Sequence, residues 1–315
     1  MNPTLLEVAA SVLFGFAILH TFAAECIQNQ SERFPKESIP ARLLDWLGNV
    51  EAVFGIWASV LLGFIAIVYG PAHAAQFING VSFSEPLFVT IVMCVAATRP
   101  LIALAKSLIE TLALRLPVNS EAAFLVVCLT LGAWLGSLIT EPAAMTLVAL
   151  LLRERFFTRK LSTALRYGIL GTLFVNISIG GTLTHFAAPP VVMVANTWNW
   201  DLAYLFTHFG WKAMIATCFN AVGLALVFRK ELQRLSNGAA RAKKSEFSWG
   251  MAAMHGLFLL LFITNSHQAA ILIPAFLIFL GAADITRAHQ DRIQLKESVL
   301  VGFFLGGLVV LGQPQ

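Results

Sequence analysis

A chain of 315 residues that is 58% hydrophobic and 12% charged has too few polar side chains to cover a soluble globule of its size, which places it in the membrane class. The formal net charge of +4 comes from Lys and Arg whose excess sits between apolar runs, a pattern of membrane topology and not of a nucleic-acid surface. The predicted fold class is an all-α polytopic membrane protein.

In chain order, apolar runs suited to helical spans cover 5–24, 52–69 and 87–105. Met1 to Thr4 carry no Lys or Arg, so the first run is read as a retained span and not as a signal peptide. Arg99, in "ATRPL" ahead of Pro100, lies deep in the third run. It either neutralises Glu141 or Glu110 or carries its charge toward the interface on its own stem.

Basic residues sort the connections. Arg33, Lys36 and Arg42 lie in 25–50, and Arg153, Arg155, Arg159, Lys160 and Arg166 in 153–166. Arg229, Lys230, Arg234, Arg241, Lys243 and Lys244 lie in 229–248, and Arg287, Arg292 and Lys296 in 286–297. These four segments are predicted to be cytoplasmic. The connections 70–86, 198–202 and 265–268 have no Lys or Arg, so they and the N-terminus are expected outside.

By this parity the block 121–152 leaves from the inside and returns to the inside, which a re-entrant hairpin can do. Its expected arms, 121–134 and 142–152, are about 21 and 16 Å long, half a bilayer each. The expected tip runs from Gly136 to Pro142 and contains Ser137, Thr140 and Glu141. Pro142 suits the start of the returning helix, where its missing N–H is not needed. Two short spans with a tight loop are the alternative, but they would put the five basic residues of 153–166 outside.

Glu141 is the most informative charge, because an intramembrane carboxylate is expensive and marks a site. Burial disfavours its ionised form, whereas the positive end of the returning helix favours it, so a proton or a sodium ion suits it. Glu51, Glu85, Glu121 and Asp284 fall at predicted span ends and are expected to be solvated.

The next stretch, 167–198, is predicted to be a broken span. A first half over 167–179 is followed by an unwound stretch near 180–188, because Gly180 and Gly181 weaken the helix and Pro189 and Pro190 cannot continue it. The second half runs from 189 to about 198. Asn176, Ser178, Thr182, Thr184 and His185 are candidate ligands, since broken helices free carbonyls and half-helix ends near the midplane. The competing readings are a packing kink without a ligand, a satisfied interior histidine, and interhelical hydrogen bonds.

A span over 203–228, a basic linker over 229–248 and spans over 250–264, 269–285 and 298–311 complete the chain. Cys26, Cys94, Cys128 and Cys218 lack paired spacing and the seven His form no metal motif, so neither a disulfide nor a transition-metal site is expected. No cofactor and no enzymatic chemistry are expected.

With "GNVEAVFGIWA" from Gly48, "ATRPL" from Ala97, "GSLITEPAAMTL" from Gly136 and "GGTLTHFAAPPVVMV" from Gly180, the sequence resembles the Na+/H+ antiporter family related to NhaD, in the ion transporter superfamily. The resemblance implies an inverted-repeat transporter, each repeat carrying a re-entrant hairpin and a broken span. Residues 1–228 would form the first repeat and 249–315 a partial second one, without its hairpin and broken span. It further implies an ion site at the tip around Thr140, Glu141 and Pro142, with the broken segment around Gly181, Thr182, Thr184 and His185; Ser137 at the tip and Gly180 and Pro189 at the break are added to the candidate binding residues. The expected activity is Na+/H+ exchange across a bacterial inner membrane. An anion or dicarboxylate carrier and a non-transporting truncated scaffold are the rivals. A homodimer or a complementing C-terminal polypeptide would fill the missing half.

Overall fold

The structure, a computed structural model, describes residues 4–139, 141–185, 187–188, 191, 194–195, 198–236, 248–266, 268–287 and 293–314. Every regular element among the described residues is helical. Among the described residues, five helices are long and apolar enough to cross a membrane, or six spans if one bent pair is counted as a single crossing. The protein is an all-α polytopic membrane protein, in two compact units.

The first unit comprises Met1–Thr90, Ser266–Ala269 and Leu295–Gln315. It contains α1 (Leu5–Ser31), α2 (Ile39–Leu47), α3 (Val50–Val68), α4 (Pro71–Asn79), the first part of α5 (Ser84–Ala96) and α14 (Leu295–Gly312). Asn49 starts α3 by accepting the Glu51 N–H on its side-chain oxygen at 2.8 Å. The main packing is α3 on α14. Between apolar helices in lipid there is little hydrophobic drive, so close backbone approach at small residues matters. A Cβ on Gly307 would collide with the backbone of Phe54 and Gly55, and one on Gly55 with the Phe303 ring. On α1, Ala10, Ala17 and Ala24 are fully buried, a small-residue stripe at seven-residue spacing. The predicted connection 70–86 holds α4, which meets α5 at a bend of 61°.

The second unit comprises Ile91–Asn265 and Ala270–Gln294. It contains the end of α5, then α6 (Arg99–Arg115), α7 (Ser120–Ile139), α8 (Glu141–Leu152), α9 (Thr163–Gly180), α10 (Leu202–Val227), α11 (Arg229–Ser236), α12 (Trp249–Thr264) and α13 (Ala269–Ile285). The expected continuous run 87–105 is interrupted at Ala97 and Thr98. Pro100, at the first turn of α6, has no N–H and would clash with the preceding turn of a continuing helix. Thr98 turns its hydroxyl back to the Val95 carbonyl at 2.7 Å.

The block 121–152 folds back on itself, but unevenly. α7 has 20 residues and α8 has 12, about 30 and 18 Å, so the first arm has spanning length where half a bilayer was expected. Gly136 and Ser137 stay helical instead of forming the tip; α7 ends at Ile139 and α8 begins at Glu141, and Thr140 lies outside the described residues. The reason is packing: a Cβ on Gly132 would run into Val148, and one on Gly136 would stand 3.2 Å from the Ala144 Cβ. These pairings lie symmetrically about residue 140, so the glycines let the two arms close tightly up to the turn.

α9 runs on to Gly180, a 3₁₀ turn covers Gly181–Leu183, and Thr184 is extended at φ −127° and ψ 157°. The helix thus ends where the two glycines and the following prolines predict. Asn199 adopts the left-handed conformation at φ 54°, and the Trp200 N–H donates to the Ala195 carbonyl at 2.8 Å.

Candidate functional site

The end of α7, the start of α8 and the end of α9 meet at one place. The Ser137 hydroxyl donates to the Gly180 carbonyl, and the Thr184 hydroxyl donates to the Ser137 carbonyl at 2.8 Å. Ser137 and Thr184 are buried. The Glu141 N–H donates to the Ala187 carbonyl at 3.3 Å, joining the first residue of α8 to the unwound segment. Backbone groups that leave a helix in the hydrocarbon region need such partners, because water is absent there.

Gly180 makes the approach possible. A Cβ there would stand 2.7 Å from the Ala133 carbonyl carbon, inside the backbone of α7. Gly181 lies beside the carboxylate: a Cβ on it would stand 3.8 Å from Glu141 Oε2, an ordinary contact, and 3.1 Å from the Ala188 Cβ, a tight one. Glu141 is half-buried, and its Oε1 accepts from the Ser178 hydroxyl at 3.0 Å. The result is a carboxylate beside a hydroxyl and beside unwound backbone. That donor set, hard oxygens with one negative charge, can hold a small cation or a proton.

Other predicted residues are placed differently. Asn176 is fully buried in a separate polar node: its amide donates to the Leu129 and Thr217 carbonyls, both at 3.0 Å, and its oxygen accepts from Asn220 at 3.0 Å. It ties α9 to α7 and α10. Thr182, in the 3₁₀ turn, turns its hydroxyl onto the Ile179 carbonyl of the preceding α9 at 2.7 Å, and His185 is half-buried just past that turn. Pro142 is the second residue of α8. Pro189, like Thr140, lies outside the described residues. Arg99 is exposed, and among the described residues it makes no ion pair with Glu141 or Glu110.

Two features escaped the sequence reading. Thr217 and Asn220 complete the node of Asn176, with Trp134 donating its indole N–H to the Thr217 hydroxyl at 2.9 Å. An Asn in the middle of the apolar run 203–228 was the available signal. Glu121, expected to be solvated at a span end, is instead completely buried. Arg155 reaches it with two nitrogens, at 3.0 and 3.3 Å, and Arg159 stands 3.5 Å away. The Arg155 guanidinium also lies over the Phe124 ring, 4.6 Å from its centre. A carboxylate in the first turn of α7 is buried here because the π-helical turn Arg153–Phe157 and the residues after it bring two cations back onto it.

No curated protein and no solved structure matches the chain. A family model described as "Putative Na+/H+ antiporter" matches residues 5–315, taking in α7, α8, α9 and all of the candidate site. The chain therefore belongs to that Na+/H+ antiporter family, as a multi-pass membrane protein.

Proposed function

We propose that the protein exchanges Na+ for H+ across a bacterial inner membrane, with Glu141 as the carboxylate that holds each ion in turn. The observation that supports this reading is the Glu141 carboxylate, half-buried between the start of α8 and the unwound end of α9, with the Ser178 hydroxyl at 3.0 Å. Protonated, the group is neutral and needs no counter-ion. Deprotonated, it requires a cation beside it, because an uncompensated charge at that depth is costly. One carboxylate that cannot carry both ions at once couples their movements. Ser178, Gly181 and the freed carbonyls after Gly180 would complete the sodium shell, while Ser137 and Thr184 hold the two backbone breaks together.

In this scheme the N-terminus lies outside and the unit carrying the hairpin moves during exchange, in an inverted-repeat architecture. The test is sodium-driven proton flux in proteoliposomes. Exchange should vanish in Glu141→Gln with the protein still folded, and the sodium concentration for half-maximal flux should rise as pH falls, since proton and sodium compete for one group. Sodium-coupled flux that survives in Glu141→Gln would place the site elsewhere.

A further inference from the structure

The strongest unassigned feature lies at the end of the second unit where α10 passes into α11. A cavity of about 580 Å3 opens between the segment before α9 and α11. Lys160, from the segment before α9, lines it together with Lys230 and Arg234 of α11 and with Val227 and Phe228 where α10 ends. Lys230 and Arg234 are four residues apart and so share a face of α11. They also line a neighbouring cavity of about 500 Å3 with Asn119.

The charges are not balanced locally. Glu231 is the acid lining the larger cavity, and both its oxygens are engaged by Ser162, at 2.7 Å from the backbone N–H and 2.7 Å from the hydroxyl. That contact holds α11 against the start of α9. Lys160, Lys230 and Arg234 are exposed and form no ion pair among the described residues. Three cations against one carboxylate leave the larger cavity with a formal charge of +2.

Part of the lining is apolar and faces outward. Val227 lines the cavity and is 76% exposed, and it continues into Leu226 and Phe219 on the outer face of α10, at 62% and 77%. A cationic mouth joined to an outward apolar helix face fits a molecule with an anionic head and a hydrocarbon tail. A free inorganic anion would use the cations but gain nothing from the exposed Val227 and Leu226.

We infer that Lys160, Lys230 and Arg234 form a binding site for the phosphate headgroup of an anionic phospholipid whose acyl chain lies along α10. Basic pockets beside membrane helices suit such headgroups because each cation near the surface adds attraction to an anionic lipid. The site lies apart from Glu141 and does not depend on which ion the protein moves.

The experiment is native mass spectrometry of the detergent-purified full chain, titrated with phosphatidylglycerol and with phosphatidylcholine of the same acyl length. Phosphatidylglycerol should bind more tightly, and Lys230→Gln/Arg234→Gln should weaken it by roughly tenfold or more, the scale of two basic side chains at a lipid surface. Lys160→Gln, in the segment before α9, should weaken it independently. Arg33→Gln/Lys36→Gln, which removes two charges from the first unit, should leave it unchanged. Millimolar inorganic phosphate should not displace the lipid. Equal binding of the two lipids would overturn the inference. So would unchanged affinity in Lys230→Gln/Arg234→Gln, an equal loss in the Arg33/Lys36 control, or displacement by phosphate.

Discussion

Ser137 gives its hydroxyl hydrogen to the carbonyl of Gly180, so that the last turn of α7 is tied to the residue at which α9 stops. Thr184 closes the loop by donating to the Ser137 carbonyl at 2.8 Å. In Ser137→Ala the Gly180 carbonyl loses a partner where no solvent replaces it. Thermal unfolding in detergent should show a loss of about 0.6–1.7 kcal/mol, the range of interhelical hydrogen bonds in membrane proteins. Transport should fall further than that loss explains, because the tie sets the distance between the two breaks. Unchanged flux in a stable Ser137→Ala protein would show that the tie is only structural.

Gly180→Ala tests backbone approach directly. The added Cβ would stand 2.7 Å from the Ala133 carbonyl carbon, and neither α7 nor α9 can yield by rotating a side chain. The helices must part, at a cost typical of overpacked sites, about 1–3 kcal/mol. Gly171→Ala, on the same helix with open space around its Cβ, should be neutral or stabilising. Equal melting temperatures for the two variants would contradict the packing.

Glu121→Gln removes the charge from a fully buried position with two arginines on it. The Arg155 and Arg159 side chains keep 21% and 27% exposure, so solvent softens the penalty. A loss of about 1.5–3 kcal/mol is expected, as for hydrogen bonds to charged groups. Arg155→Gln added to Glu121→Gln should cost less than the two single changes together, since the residues share one interaction. Strict additivity in the double-mutant cycle would rule that out.

Orientation is open to cysteine labelling in a background without the four native cysteines. With the basic connections inside, Arg153→Cys should react only from the cytoplasmic face and Trp198→Cys only from the outside. Both positions are exposed. Labelling of both from one face would require the hairpin and the broken helix to be threaded differently.

Much of this protein was written locally. The apolar runs 5–24, 52–69, 203–228 and 298–311 fall on α1, α3, α10 and α14, with α1 continuing to Ser31, because a span is a property of one contiguous segment. The ending of α9 at Gly180 was equally legible, since glycines and prolines act on their own turn of helix. Glu141 stood out as an intramembrane charge before any fold was known. Pro100 carried the signal for the break at Ala97 and Thr98, although the apolar run concealed it.

Only the tertiary structure decided the rest. That α7 continues through Gly136 and Ser137 depends on Ala144 and Gly180, whose positions no local signal specifies. Glu121 looks like any span-end carboxylate until Arg155 and Arg159, more than thirty residues on, are folded onto it. Asn176 could face an ion or a neighbouring helix by its residue type alone; Leu129, Thr217 and Asn220 turn it to the helices. Helix length and helix breaks follow from short-range backbone chemistry, which the sequence states residue by residue. Hydrogen-bond partners in a low-dielectric interior are chosen by whichever helices pack together, and that choice is made only by the fold.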